Sequence, residues 1–293
     1  MKKLLVVTHD AGGAELISSY LKHNQLKFDY FLKGPALPIF KRKFKKNFQN
    51  FKFSQLKKKI LKSDSVLTGT SWESDLEKKV LVMCNENKIK TSSYIDHWVN
   101  YTDRFKLNNK KILPDEIWVH DKFSYKIASK KFNIPVKQKK NFFLREILAR
   151  YKKIKTKKTN FSYDFLFLSE PIKKHFPNLS YSEYSCFKKF IKMIKKKNIY
   201  FEKILLRLHP SEKKQKYKKF LDQKEFSKIK SKIYFSSNKE LIKDFRISKK
   251  IIGINSMALV IGVILKKQVY SCLNTRSTFF KLPYSEIKSI TSI

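Results

Sequence analysis

Two tetrapeptides carry residue types suited to holding a phosphate: Arg207-Leu208-His209-Pro210 and Gly253-Ile254-Asn255-Ser256. Each follows a run with the composition of a buried strand, Lys203-Ile204-Leu205-Leu206 before the first and Lys250-Ile251-Ile252 before the second. Pro210 fixes its turn and biases His209 to an extended backbone, so the imidazole projects from the strand tip. Imidazole can bind or protonate a phosphate leaving group near neutral pH. Arg207 lies two residues earlier, on the same strand face. In the second tetrapeptide, Gly253 ends the strand and Asn255 or Ser256 caps a helix whose first N–H groups face an anion. The plainer alternatives are a structural histidine and a serine that only caps its own helix. Taken together, the two tips are expected to be halves of one binding site at the carboxyl ends of parallel strands.

The first half of the chain offers three more polar strand tips. His9-Asp10-Ala11-Gly12-Gly13-Ala14-Glu15 follows a strand and opens a helix. It departs from GxGxxG, so a dinucleotide fingerprint is not supported. Gly12 and Gly13 suit close approach of a sugar, and His9 and Asp10 suit acid–base work, against simple turn and capping roles. Tyr94-Ile95-Asp96-His97-Trp98 joins carboxylate, imidazole and indole at a second tip. Aromatics stack on sugar faces and carboxylates hold hydroxyls, so Asp96 is a candidate general base beside His97 and Trp98. Thr68-Gly69-Thr70-Ser71-Trp72-Glu73 ends a third strand. Thr70 is expected to line the same site, unless it or Ser71 caps the next helix.

The elements that must position these residues alternate between short apolar runs and longer amphipathic stretches, the pattern of parallel α/β units. Predicted strands in the first half are Lys3–Thr8, Phe28–Leu32, Ser65–Gly69, Thr91–Ile95, Glu116–Val119 and Ile134–Lys137, with helices at Ala14–His23, Trp72–Asn87 and Lys122–Lys131. The basic stretch Arg150–Lys158 lacks a clean period and reads as a linker. Beyond it, predicted strands are Asp164–Leu168, Lys203–Leu208, Lys232–Phe235, Ile251–Ile254 and Gln268–Cys272. A helix at Ser182–Lys197, a Lys-rich helix, a short helix and one from about Ser256 separate them. The expected fold is α/β, two Rossmann-like domains facing across a cleft, residues 1–150 and 160–293. Of only six glycines, five fall at predicted strand ends, where a positive φ or a close ligand approach would demand them.

A chain of 293 residues with 42% hydrophobic content can bury a sizeable core, which argues against disorder despite 31% charge. The net charge of +42 suggests nucleic acid or anionic membrane. Only seven of the 66 basic residues are Arg, however. A dedicated phosphate reader would favour the Arg fork, and abundant Lys, Ile, Phe and Asn point to a coding bias, so no specific nucleic acid is expected. Peripheral contact with an anionic membrane remains an expectation. Cys84, Cys186 and Cys272 form no CxxC pair, which argues against a zinc or disulfide framework and fits a reducing cytoplasm. The opening residues hold too short an apolar run for a signal peptide. The longest apolar stretch, Met257 to Leu265, is about half a membrane span. A cytoplasmic protein is expected.

Arg-x-His-Pro followed by Gly-x-x-Ser-x-x-Leu resembles the nucleotide-binding half of bacterial GT-B glycosyltransferases of the sialyltransferase, polysialyltransferase and capsule-transferase types. The resemblance implies a metal-independent enzyme without cofactor. His209 and Ser256 would contact the phosphate of a nucleotide-activated sugar, often a CMP-sugar, and Asp10 or Asp96 would be the base. The first half is similar to polysaccharide-biosynthesis proteins of the same build. Such folds carry an acidic, ribose-binding residue on the Ser helix; here Ile261 holds that place, and Lys266-Lys267-Gln268 replaces the usual Gly-Lys-Pro turn. The leading expectation is sugar transfer from a nucleotide donor to a cell-surface polysaccharide or glycolipid. The alternatives are a nucleotide-sugar epimerase or hydrolase of the same fold, a transferase that only binds, and a non-catalytic basic binder of nucleic acid or anionic membrane.

Overall fold

The apolar run near the start of the chain forms β1 (Leu4–Thr8). Leu5 and Val7 pack with Leu56, Ile60, Val66 and Val80 on one face, while Val6 packs with Ala14, Ile17, Leu21 and Phe40 on the other. A strand apolar on both faces needs a parallel sheet with helices on both sides. That is what the computed structural model, which describes residues 3–71, 74–154 and 161–293, contains twice.

The first sheet adds β2 (Asp29–Leu32), β3 (Ser65–Thr68), β4 (Lys90–Tyr94), β5 (Glu116–Val119) and β6 (Val136–Gln138), all parallel, in the order β2-β1-β3-β4-β5-β6. Its helices are α1 (Ala11–His23), α2 (Ala36–Phe44), α3 (Leu56–Leu61), α4 (Leu76–Glu86), α5 (Lys122–Lys131) and α6 (Phe142–Lys153). The second sheet holds β7 (Tyr163–Leu168), β8 (Ile204–Arg207), β9 (Ile233–Phe235), β10 (Ser248–Gly253), β11 (Gln268–Ser271) and β12 (Ile287–Ser289), parallel, in the order β9-β8-β7-β10-β11-β12. With it come α7 (Ile172–His175), α8 (Glu183–Lys196), α9 (Lys214–Leu221), α10 (Leu241–Ile247) and α11 (Met257–Ile264). Its core is built from phenylalanines meeting edge to face, as in Phe167 against Phe187 at 4.8 Å and 81°, the arrangement the ring quadrupole favours.

Strand order reverses direction between β1 and β3 in the first sheet and between β7 and β10 in the second. Open α/β sheets bind ligands outside the carboxyl ends of the strands at such switch points. The chain divides into two compact units, residues 1–146 and 147–293, so the boundary falls inside α6.

Three expectations change. Arg150–Lys153 closes α6 as helix rather than opening a linker, because its Ile147 packs in the core while the basic residues stay outside; Lys155–Lys158 lie outside the described residues. The helix expected from Trp72 starts at Leu76, and Trp72 and Glu73 lie outside the described residues. Unforeseen elements are α2, α3, α7 and β12, the last three only six, four and three residues long, too short to display a period. Among the described residues, no helix is long and apolar enough to cross a membrane.

Candidate functional site

At the first switch point the chain leaves β1 through His9 and Asp10. Asp10 takes an extended backbone (φ −78°, ψ 153°) and caps α1 without a side-chain bond to it. Its Oδ1 lies 2.7 Å from His9 Nδ1 instead. This imidazole–carboxylate pair is partly open, with side chains 29% and 22% exposed. The His9 ring is seated over Gly34, whose φ of +49° and lack of a Cβ both matter: an added Cβ would stand 2.5 Å from Nε2. The His9 amide donates to Glu77 Oε1 at 2.8 Å. Glu77 comes from the first turn of α4 and is buried, and burial pushes its carboxyl up to about 7. Its Oε2 and the Oγ1 of buried Thr8 have no partner among the described residues.

The carboxylate of Asp96, beyond β4, is held over the start of α1, where a Cβ at Gly12 would overlap Oδ2. Arg104 holds its other oxygen. The guanidinium is 5% exposed; Nη1 donates to Asp96 Oδ1 at 2.6 Å, to the Thr70 carbonyl at 2.8 Å and to Thr70 Oγ1 at 2.9 Å, and Nε donates to the Val99 carbonyl at 3.1 Å. Gly13 lets α1 approach the tip of β3, since its Cβ would meet Gly69 Cα at 3.2 Å and Thr8 Oγ1 at 3.3 Å. His9, Asp10, Gly12, Gly13, Thr70 and Asp96 therefore do converge.

Thr70 does so as a buried partner of Arg104 rather than as an open contact, and Ser71 accepts from the Ser74 amide at 2.8 Å as a turn cap. Trp98 departs from its expected role as a stacking face. It is 5% exposed, packs edge-on against His120 and gives its indole N–H to Asp121 at 3.0 Å. A ring closed in on this way has no face left for a sugar. His97 accepts the Trp98 amide on Nδ1 at 2.9 Å, which puts the ring proton on Nε2, and burial pushes the imidazole down to about 4, so it is neutral at pH 7.

At the second switch point, Glu170 lies two residues past the end of β7, and β10 ends at Gly253. The amides of Ile254 and Asn255 donate to Glu170 Oε1 at 3.2 and 2.7 Å. Ser256 lies against the same carboxylate, where its hydroxyl and N–H dipoles lower the Glu170 carboxyl, and it makes no side-chain cap to α11. Desolvation nonetheless outweighs these bonds and pushes Glu170 up to about 7. The turn expected to hold a phosphate thus holds the chain's own carboxyl group. Asn255 uses its side chain as a latch, Nδ2 to the Phe279 carbonyl and Oδ1 from the Lys281 amide, both at 3.0 Å. Gly253 answers to packing: a Cβ there would meet Leu259 Cδ2 at 2.8 Å.

Arg207 is turned aside from a ligand role by its own neighbours. Its guanidinium forks onto fully buried Asp244 (2.6 Å), the Asn238 carbonyl (2.8 Å) and the Lys239 carbonyl (3.2 Å). His209 and Pro210 are exposed at the turn. The His209 amide donates to Glu212 Oε2 at 3.0 Å, and Nδ1 lies 2.8 Å from Ser211 Oγ. Glu212 in turn binds Lys216 at 2.7 Å, and Lys216 also pairs with buried Glu183, so the histidine turn is anchored. Ile261 is 7% exposed and belongs to the apolar body of α11, where a carboxylate would be desolvated without a partner.

The residues that sequence reasoning does not single out are Arg104, Glu77 and Glu170. A signal exists for the first: in a chain this poor in Arg, the two arginines near polar tips are the ones making planar forked bonds, which Lys cannot replace. For the two glutamates no local pattern exists.

No family model matches the chain, and no curated protein matches it in sequence. Solved structures do. The chain is similar to the UDP-GlcNAc 2-epimerase of Methanocaldococcus jannaschii (TM-score 0.59, 13% identity, over 94% of this chain and 85% of that one). It is similar to a putative UDP-N-acetylglucosamine 2-epimerase of Listeria monocytogenes (TM-score 0.64, 10% identity, 96% and 83%). It is also similar to MurG of Acinetobacter baumannii (TM-score 0.50, 6% identity, 100% and 82%). At these identities the likeness is one of fold, and that fold is the GT-B type, with two Rossmann-like domains.

Proposed function

We propose that this protein is an enzyme acting on a nucleotide-activated sugar, and that it transfers the sugar to a glycan or glycolipid acceptor. The observation that carries this reading is the His9–Asp10 pair set beside the clamped Asp96 at the switch point of the first sheet. In the proposed reaction the acceptor hydroxyl loses its proton to this cluster. His9 accepts it as the base and Asp10 orients the ring, by the logic that couples any imidazole base to a carboxylate. Asp96, fixed by Arg104 and by the start of α1, holds a sugar hydroxyl or takes the proton itself. The leaving phosphate is met by exposed His209, whose turn is anchored through Glu212, and the charge it develops is offset there. Similarity to the capsule and sialyltransferase types, resting on the His-Pro and Ser motifs, supports a cell-surface glycan as acceptor and a CMP-sugar as one donor class.

Epimerisation is the second reading, and the fold likeness to two UDP-GlcNAc 2-epimerases supports it along with a UDP-linked donor. It uses the same groups: the first cluster takes the proton from sugar C2 as the nucleotide leaves C1, and a proton then returns to the opposite face of C2 while the nucleotide or water adds back at C1, so no acceptor is needed.

The test is product analysis with UDP-GlcNAc and CMP-activated sugars, with and without glycan acceptor, on wild type and on His209→Ala. Transfer that needs acceptor and falls at least about a hundredfold in the variant supports the first reading. A sugar epimer formed without acceptor supports the second. Turnover unchanged by His209→Ala sinks the role given to the histidine.

A further inference from the structure

We propose that Glu170 is an internal anion gate: its carboxylate occupies the Ile254–Ser256 turn, and a phosphate-class ligand enters only when Glu170 gives that place up. This rests on the donor-phosphate reading of the turn. The geometry has three parts. The turn binds an anionic group, since the Ile254 and Asn255 amides both donate to Glu170 Oε1, and the Ser256 hydroxyl is left uncommitted to its own helix. The contact lies between β7 and β10, where strand order reverses and where α/β sheets accept ligands. The side chains that would otherwise mark the turn as a ligand site are committed elsewhere: Asn255 latches the segment at Phe279–Lys281, and Ser271 Oγ donates to the Ile254 carbonyl at 2.5 Å. The amides and the Ser256 hydroxyl are what remain, and Glu170 takes the amides.

A carboxylate and a phosphate cannot share these donors. The apparent affinity for an anion is its intrinsic affinity reduced by the fraction of molecules in which the turn is vacated. Protonation of Glu170 weakens its hold on the amides, and burial has already raised that carboxyl to about 7, so the gate loosens as pH falls through neutrality. Among the described residues, Tyr181, ahead of α8, and Cys272, beyond β11, also interact with Glu170; burial pushes both up, and both stay neutral across this range. Lys189 of α8 is spent on the Cys272 carbonyl at 2.6 Å.

The experiment uses the full chain and sulfate, whose charge is constant between pH 6 and pH 8. Binding is read at fixed ionic strength from the amide shifts of Asn255 and Ser256, in wild type, Glu170→Gln and Glu170→Ala, each checked for fold by circular dichroism. At pH 8 both variants should bind sulfate about tenfold more tightly than wild type. Wild type should gain affinity toward pH 6 while the variants, which share every other titratable group, gain less. Equal or weaker sulfate binding in the folded variants overturns the gate. So does a wild-type sulfate affinity that fails to rise between pH 8 and pH 6, an outcome that decides the matter on wild type alone if neither variant folds in a comparable state. A parallel titration with UDP and CMP separates the two readings. Variants that gain for sulfate but bind neither nucleotide keep the gate and sink the donor-site function.

Discussion

The two switch points solve one problem with different economy. Each sets a desolvated glutamate, with its carboxyl raised to about 7, against the amides of a strand tip. Glu77 reaches the first tip from α4 and accepts a single amide, leaving Oε2 without a partner among the described residues. Glu170 reaches the second from just past the end of β7 and accepts two amides, those of Ile254 and Asn255. The arginines differ in the same sense. Arg104 clamps a half-buried acid that remains at the tip, whereas Arg207 is spent on Asp244 and loop carbonyls behind it. The first tip is left with an open imidazole–carboxylate pair and a positioned acid, the equipment of proton transfer. The second is left with a closed anion turn and an exposed histidine, the equipment of holding and release.

Removing the two arginines tests this contrast most severely. Arg104→Leu leaves the Asp96 carboxylate and the Thr70 carbonyl unpaired in a dry environment, and a loss of about 3–5 kcal/mol in denaturant unfolding is expected. Arg207→Leu should destabilise its unit by a comparable amount through Asp244 while leaving the first unit's unfolding unchanged. If Arg104→Leu unfolds at the wild-type midpoint, the clamp is not structural.

The two glutamates should give the next largest effect. A carboxyl raised in the folded state binds its proton more tightly than the unfolded chain does, so the fold is favoured below the unfolded pKa of 4.5 and loses that advantage as pH rises to about 7. Each group accounts for on the order of 3 kcal/mol across that window. Stability measured from pH 4.5 to pH 8 should fall, and Glu77→Gln and Glu170→Gln should each flatten the fall. A flat wild-type profile would show that neither group is desolvated in solution.

Glycine substitutions resolve smaller differences between the tips. Gly12→Ala drives a methyl into Asp96, and about 1–3 kcal/mol of destabilisation is expected together with lost turnover. Gly253→Ala meets a leucine side chain that can rotate, so a smaller loss in thermal midpoint with little loss of nucleotide binding is expected. The reverse ranking would place the chemistry at the second tip. The mildest case is Asn255→Ala, which removes the latch to Phe279 and Lys281. It should cost about 1 kcal/mol and raise protease sensitivity near residue 279 without changing the pH profile of stability.

Much of this architecture is legible without coordinates. Ten of the twelve strands in the two large sheets fall within two residues of their predicted places, along with α5, α8 and α11, while α1 starts three residues earlier than expected. The polar tips are legible too, because turn and capping chemistry is written in adjacent residues. What each tip does is not. Trp98 and Arg207 carry residue types suited to ligands, yet both are consumed by partners from other elements. Glycine scarcity pointed to backbone demands, and only Gly34 has a positive φ; Gly12, Gly69 and Gly253 instead make room for Asp96, Thr8 and Leu259.

By itself, then, the sequence determined the alternation of strand and helix and the positions of the polar tips. Strands buried on both faces must be continuous apolar runs, and the turns that end them obey local rules. Only the tertiary structure decided which charges meet which tip. Glu77 stands 68 residues from His9 and Glu170 stands 85 from Asn255. Those meetings are fixed by strand order, which depends on how helices pack across the sheets and leaves no periodic mark on the chain.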